Sequence, residues 1–405
     1  MSALIDKLLP DSLPDGEPGL DVLRRKAQKI LMQHGFPHRK TERWKYLPLT
    51  QLEKREFGAA ADRSNWPEPP SLPFETGLVH VHNGCIDPDR CRLPDGVTLR
   101  GLTSEDVDVS ALEETGPADA FAWLNLARFE QGWALRVDAE VETPLLLAVT
   151  CDDAIDSALH PRIKLEMASG SRLKLIESQQ VGGAGLLNAV FDITLARDAV
   201  LTHLIDRDFG DTALIQRTAV RVGESASYRA FVLDGGGRLT RQDLLAVLEA
   251  SGARASLAGV GILSDRSLVD YHTTIEHRVG GTCSEEDFRI LADDHAVGVF
   301  NGRILMVRGA DDSHSEMNTG NLLLSENARI NTKPELEIHA EEVTASHGAT
   351  IGQLDDTARF YLRSRGLTDA QARSLLKYGF AAAVFDGLAA GAERDWMLSR
   401  LEATL

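Results

Sequence analysis

His347 is the residue whose type and surroundings best suit metal chemistry. It stands in the segment Ser-His-Gly-Ala-Thr at 346–350, where an alternating apolar pattern gives way to a glycine, so we expect it at the junction between a sheet and a turn. Imidazole is a ligand that iron accepts. The residues alone favour a plainer interpretation, in which His347 is a structural histidine hydrogen-bonded at the end of the sheet.

The four cysteines do not suggest a site of their own. They are Cys85, Cys91, Cys151 and Cys283, and only the first two are near each other in sequence. No C-x-x-C pair is present, so neither a zinc ribbon nor a thioredoxin-type redox motif is expected. A disulfide framework is also unexpected in so long a chain with so few thiols. We therefore expect reduced, mostly buried cysteines.

The composition and the missing motifs exclude several classes of protein. The 405 residues carry a formal charge of −18, which disfavours binding to nucleic acid and to anionic membranes. There is no apolar run of about 18 residues and no signal peptide, so we expect a cytoplasmic protein without a membrane span. The phosphate-binding loop of ATPases, the dinucleotide-binding glycine motif and the zinc-protease and serine-hydrolase motifs are missing too. We therefore expect no ATP site in this chain.

The middle of the chain predicts a stack of β-strands. Apolar and polar residues alternate there over short runs, which is the period of a strand. Small residues recur in the intervening turns, 27 to 29 positions apart: Ser171, Ala199, Ala226, Ala253 and Thr282. A repeat of this length that contains strands favours a parallel β-helix, in which each coil buries its apolar face on the next. A β-sandwich is the competing prediction.

Both ends of the chain are predicted to be helical. Near the N-terminus, apolar residues over 20–31 share one side of a helix that Gly35 ends. Near the C-terminus, a helix begins at Asp355 or Asp356 and ends at Gly366, and a second helix follows it.

These patterns divide the chain into three parts. Four prolines over 62–73 predict a linker, so the parts are a helical domain at 1–73, a β-helix core at 74–350 and a helical domain at 351–405. Because the last helices lie outside this core, we expect the core to stay folded when the chain is truncated after Gly352.

Several segments, taken as an ordered set, resemble the SufB/SufD family of iron–sulfur cluster assembly proteins. They are Arg-Lys-Thr-Glu-x-Trp-Lys-Tyr at 39–46, Gly-Gly-x-Leu-x-Arg at 236–241, Leu-Glu-Ile at 336–338, His-Gly-Ala-Thr at 347–350 and Phe-Tyr-Leu-x-Ser-Arg-Gly at 360–366. The glycine after His347 is similar to the SufD branch, since the SufB branch has Glu there. We assign no chemistry to the segment that begins with Arg39-Lys40-Thr41-Glu42.

The resemblance implies a fold and a role. It implies a right-handed parallel β-helix with helical ends, acting as a non-catalytic scaffold subunit that pairs with SufB and is driven by the ATPase SufC. His347 is implied to take part in assembling the nascent cluster. The positions implied to bind SufC are Phe360, Tyr361, Leu362, Arg363, Arg365 and Gly366. Many family members have Cys where this chain has Ala345, so a thiol role at that position is absent.

Ligand counting adds a constraint on His347. Iron–sulfur clusters take about four protein ligands, mostly thiolates, and this chain offers no paired thiols. We therefore expect no tightly bound cofactor on the chain alone, and transient iron or a cluster at its interface with SufB, where the partner completes the ligand set. The isolated chain could also pair with itself.

Two other functions stay open. One is a β-solenoid enzyme acting on polysaccharide, which would need acidic residues on adjacent coils. The other is a purely structural interaction module in which His347 has no role as a ligand.

Overall fold

The computed structural model describes residues 3–9, 14, 17–38, 40–58, 65–152, 156–183 and 185–405. It is mainly β, with 43% of the residues in strands, and it forms a β-solenoid of about 7 turns with helices at both ends. The β-helix prediction is therefore confirmed, and the β-sandwich alternative is wrong. Of the predicted linker, residues 62–64 lie outside the described residues, and 65–76 contain no helix or strand.

Two long sheets enclose the core, and successive coils contribute one strand to each. The first sheet contains, in spatial order, β2 (Cys85–Ile86), β1 (Gly77–His82), β5 (Leu145–Thr150), β8 (Arg172–Val181), β10 (Val200–Phe209), β12 (Ser227–Asp234), β14 (Arg254–Leu263), β16 (Cys283–Ala292), β18 (Ser313–Leu323) and β20 (Val343–Gly352). The second contains β3 (Val97–Gly101), β4 (Gly132–Val137), β7 (Arg162–Met167), β9 (Leu186–Leu195), β11 (Ala213–Val222), β13 (Leu239–Leu248), β15 (Leu268–His277), β17 (Val297–Met306) and β19 (Arg329–Ile338), with β6 (Ala158–Leu159) beside β9. Neighbouring strands are parallel except in the pairs β1–β2 and β3–β4.

The corners before strands of the first sheet explain the repeat seen in the sequence. Each corner ends in a small residue that is at most 2% exposed: Ser171, Ala199, Ala226, Ala253 and Thr282. The residue before it has a positive φ of 54° to 76°: Gly170, Asp198, Ser225, Gly252 and Gly281. Gly adopts this left-handed conformation without strain, and Asp tolerates it better than most residues do. The spacing of small residues therefore marks the coil length.

The N-terminal helices share a core with the outer face of the second sheet. They are α1 (Ala3–Leu8), α2 (Pro18–His34), which Gly35 ends as predicted, and α3 (Thr50–Glu53). Leu20 and Trp44 join one apolar cluster with Phe121 of α5 (Ala120–Arg128) and with Leu239 of β13. The remaining helices before the solenoid repeats are α4 (Val109–Thr115) and short 3₁₀ turns at Glu42–Trp44, Pro88–Arg90, Ser104–Asp106 and Gly116–Asp119.

The last two C-terminal helices and the turn between them pack on the outer face of the first sheet, and the helix before them packs on the second-last one. The C-terminal helices are α6 (Asp356–Ser364), α7 (Asp369–Ala382) and α8 (Ala392–Thr404), with a 3₁₀ turn at Ala383–Gly387. Phe385 and Met397 are buried against Ile176, Phe231 and Val260 of the sheet. Truncation after Gly352 would expose these sheet residues to water and so lower the stability of the core, and the expectation that the truncated core stays folded remains a prediction.

Candidate functional site

The solenoid has an open end formed by β19 and β20. Each is the last strand of its sheet and pairs along ten residues with the coil before it, β17 or β18. No residue of either strand is buried, and Ile338 and Ile351 are 41% and 47% exposed. A long edge strand presents unpaired backbone N–H and C=O groups, which is a template for another chain to pair with.

His347 lies in the middle of β20, on the row that faces the inside of the solenoid. Val343 and Ala345 on the same strand pack against the solenoid core, and alternate residues of a strand share a face. His347 is nevertheless exposed, because β20 is the last strand of its sheet in the part of the chain that the structure describes. The side chain therefore stands at the mouth of the solenoid interior.

This position corrects the expectation that His347 sits before a turn at Gly348. Both residues belong to β20, and the next helix begins only at Asp356. The alternating pattern fails here for a physical reason. No described residue adds a further coil on the outer side of the last one, so its residues do not need to alternate between apolar and polar.

Met317 forms the floor beneath His347. The two residues are direct partners in the pairing of β18 with β20. The Met317 side chain crosses to the second sheet, where a Cβ atom at Gly302 would lie only 2.7 Å from its Sδ atom. On β20, Ala345 and Ala349 flank the histidine with small side chains. The mouth therefore presents one imidazole above a thioether floor.

Glu286 lies in the same core-facing row, on β16, the next strand away from the open end. It pairs with Met317 and is almost fully buried, and the Thr273 hydroxyl faces its carboxylate without forming a hydrogen bond of good geometry. Burial disfavours the charged form and raises the pKa of Glu286 to about 7. The sequence did not single out Glu286 as a candidate, although an acidic residue at a position of a predicted strand that faces the core is an unusual feature that the sequence shows.

Among the described residues, His347 is not part of a group of side chains that could hold a metal ion. Within the described ranges, no three His, Cys, Asp or Glu side chains come together in a way that could hold a metal ion. Cys283 is half-buried at the start of β16, and Cys85 is buried at the other end of the solenoid, in β2.

The residues predicted to bind SufC lie on α6 and just after it. Phe360 and Tyr361 are 71% and 55% exposed, and Leu362 is half-buried. Arg363, Arg365 and Gly366 are exposed, and the Arg365 guanidinium lies 5.1 Å from the centre of the Tyr361 ring. An exposed apolar pair on one short helix is a surface that another protein could cover.

This helix is held firmly despite its exposure. Asp355 caps it by accepting a hydrogen bond from the Thr357 backbone N–H at 2.8 Å. Arg359 donates to the Asp369 carboxylate at 2.7 and 3.0 Å, which ties α6 to α7. At its other end, α7 accepts a hydrogen bond at its Phe380 carbonyl from Arg289 of β16. The exposed pair is thus presented on a braced hairpin.

Comparison with known proteins decides the family. The model described as "SUF system FeS cluster assembly, SufBD core domain" matches residues 149–380, which is most of the solenoid and the start of the C-terminal helices. The chain belongs to the SufBD family. As a SufBD protein it has a role in iron–sulfur cluster assembly, which favours that function over the polysaccharide-acting alternative. No α-helix in the described part of this SufBD protein is long and apolar enough to cross a membrane.

Relatives match over almost the whole chain. The chain is 30% identical to the iron–sulfur cluster assembly SufBD family protein slr0076 of Synechocystis, covering 90% of this chain and 86% of the relative. It is 28% identical to the iron–sulfur cluster assembly protein SufD of Escherichia coli, covering 92% and 90%. It is 25% identical to the chloroplastic protein ABCI7 of Arabidopsis thaliana, covering 93% and 85%. The resemblance therefore includes the helical ends.

Proposed function

We propose that this chain is a SufD-type scaffold subunit that pairs with SufB through the open end of its solenoid. The observation that carries the proposal is the position of His347, which is exposed at the mouth of the interior, in the middle of a ten-residue strand that forms the edge of its sheet among the described residues. A partner that added its own strands to β19 and β20 would bury this histidine at the interface. The relative named SufD in Escherichia coli supports the assignment to this branch.

The nascent cluster is the cargo of this interface. His347 supplies one imidazole ligand to iron, and the partner supplies the ligands that remain, because a cluster needs about four and prefers thiolates. Ala345, on the same inward face, leaves this chain without a thiol at the mouth. The chain is a scaffold without catalytic activity of its own, and its location is the cytoplasm.

The α6–α7 hairpin is the docking surface for the ATPase SufC. Phe360 and Tyr361 supply the apolar contact, and Arg363 and Arg365 supply positive charge around it. The hairpin is anchored on the outer face of the first sheet, so force applied there by a moving partner would reach the strands that carry His347.

Co-expression with SufB and SufC tests the pairing. Ile338→Asp and Ile351→Asp each place a charge on the open end, and neither replaces a buried residue. We expect either variant to abolish co-purification of SufB. The matched control is Val22→Asp, which places the same charge on α2 at a side chain 65% exposed. SufB pairing that survives both open-end variants would refute this geometry.

A further inference from the structure

A cavity of about 130 Å³ lies on the outer face of the second sheet, beneath the 3₁₀ turn Glu42–Trp44. Its floor is a straight row of polar side chains from five neighbouring strands, each the in-register partner of the next: Arg217, Asp243, His272, Asn301 and Lys333. The strands lie about 4.8 Å apart, so the row is continuous. The cavity belongs to a different sheet from His347.

The roof of the cavity is held in place at both ends. The Arg241 guanidinium stacks on the Trp44 ring at 4.0 Å and donates a hydrogen bond to the Arg43 carbonyl oxygen at 2.7 Å. At the other end, the Lys333 ammonium contacts the Glu42 carboxylate at 2.9 Å. This roof is part of the segment at 39–46 to which the sequence assigned no chemistry; Arg39 itself lies outside the described residues.

The charges of the lining are already matched. Each acid or base on it faces an opposite charge: Arg43 with Asp119 and Asp243, Arg217 with Asp119, Lys333 with Glu42 and Glu335, Arg303 with Glu337, and Glu276 with Arg278. A ligand with a net charge would leave one of these groups with a like-charged neighbour. A ligand that is neutral overall, with separate positive and negative ends, could place each end beside a lining group of opposite charge.

Two further polar side chains in the lining, Asn301 and His272, each have a group without a hydrogen-bond partner among the described residues. Asn301 is 9% exposed, and its amide has no hydrogen bond within the described residues. His272 is 6% exposed; its Nε2 atom faces the Asp270 carboxylate at 3.1 Å, and its Nδ1 atom has no partner in the same part of the chain. Neither group is sealed from water, so an occupant that hydrogen-bonds to both would replace the water that meets them in the open cavity.

We propose that this cavity binds a small zwitterion, an α-amino acid of the size of alanine or serine. The volume of this cavity is close to that of an engineered cavity of about 150 Å³ that binds benzene. A ligand of about six non-hydrogen atoms therefore fits it. In the lining, Arg43 and Lys333 are the cations that would bind the ligand carboxylate. Asp119 and Glu335 are the acids that would bind its ammonium group. The Asn301 amide both donates and accepts, so it can meet either end.

Calorimetric titration of the purified full chain tests this site with glycine, L-alanine and L-serine as probes. Propionate and propylamine carry only one of the two charges, and L-tryptophan exceeds the volume. We expect saturable binding of at least one of the three small amino acids and none of the other compounds. No saturation by any of the three, or equal binding of propionate or propylamine, would overturn the proposal whatever the variants do.

A pair of variants then locates the site. Asn301→Ala removes the unpartnered amide, and we expect at least about tenfold weaker binding, the equivalent of one lost hydrogen bond. Asn331→Ala, on β19 in the adjacent row and outside the cavity lining, should bind as the wild type does. Unchanged affinity in a folded Asn301→Ala protein would place the ligand elsewhere and refute this site.

Discussion

Met317 lies directly beneath His347 in the inward-facing row of the first sheet, and its sulfur atom reaches across the core to Gly302 of the second sheet. The imidazole at the mouth of the solenoid therefore rests on a side chain that touches both sheets. The Met317 side chain fits beneath the imidazole because residue 302 of the opposite sheet is a glycine and leaves room for its sulfur atom.

Gly302→Ala should disturb this floor. The added Cβ would lie 2.7 Å from Met317 Sδ and 2.8 Å from the Phe300 ring, so Met317 must move. Overpacking of a core in this way costs about 1–3 kcal/mol, and we expect a loss of that size in urea unfolding. Gly352→Ala is the control, because its Cβ would meet nothing within 4 Å. Equal unfolding midpoints for the two variants would show that Met317 is not confined.

His347→Ala should separate the ligand role from the structural one. The side chain is exposed, so we expect the free energy of unfolding to change by about 0.5 kcal/mol or less. Complex formation with SufB and SufC should survive, while iron and acid-labile sulfide after reconstitution should fall sharply. Ser346→Ala changes the neighbouring exposed residue on the opposite face of β20 and should have no effect. Wild-type iron and sulfide in His347→Ala would leave the histidine a structural residue.

Glu286→Gln should stabilise the protein in a pH-dependent way. The pKa of Glu286 is raised from 4.5 to about 7 by burial, so between these values the folded state holds a proton that the unfolded state has released. Wild-type stability therefore falls as pH rises through this window, by up to about 3 kcal/mol from this group. Glutamine does not ionise, so the free energy of unfolding of the variant does not fall with pH for this reason.

The measurement is urea unfolding at pH values from 4.5 to 8. We expect the stability of Glu286→Gln to exceed that of the wild type by an amount that grows up to about pH 7 and then stays constant. Glu285→Gln, at an exposed neighbouring position of β16, is the control and should show no such growth. A constant difference across the range would mean that Glu286 does not hold its proton.

Phe360→Asp should weaken SufC binding without unfolding the chain. The Phe360 side chain is 71% exposed, so the substitution removes an apolar contact surface but no core residue. We expect SufC to be lost from the purified complex while SufB remains. Val22→Asp, on an N-terminal helix and 65% exposed, is the control. Full SufC recovery with Phe360→Asp would exclude this helix as the docking surface.

The regular coils were predictable from the sequence because each corner has the same local requirement. A residue that tolerates positive φ precedes a small buried one, as at Asp198–Ala199 and Gly252–Ala253, and both types can be read in the sequence. The last coil was not predictable in the same way. His347 and Gly348 lie in a strand that, within the described ranges, has no strand neighbour at its outer edge, so burial does not impose a pattern there.

The cavity beneath Glu42–Trp44 could not be predicted for another reason. Arg217, Asp243 and His272 are adjacent only because the coils that separate them have particular lengths, and a corner one residue longer would shift the row. Residues so far apart in sequence give no local signal of their alignment. Only the register of the finished sheet brings them together.

The open end also has a consequence for how the chain survives in a cell. In a stack of coils each layer is stabilised only by its neighbours, and a terminal layer needs a cover. Among the described residues, β19 and β20 each have a strand neighbour on one side only, and in the proposed complex the partner subunit supplies the cover. Copies of the chain made in excess of the partner would expose the unpaired edges of β19 and β20 to proteases and to other chains. The amount of partner would then determine how many copies of this chain escape degradation.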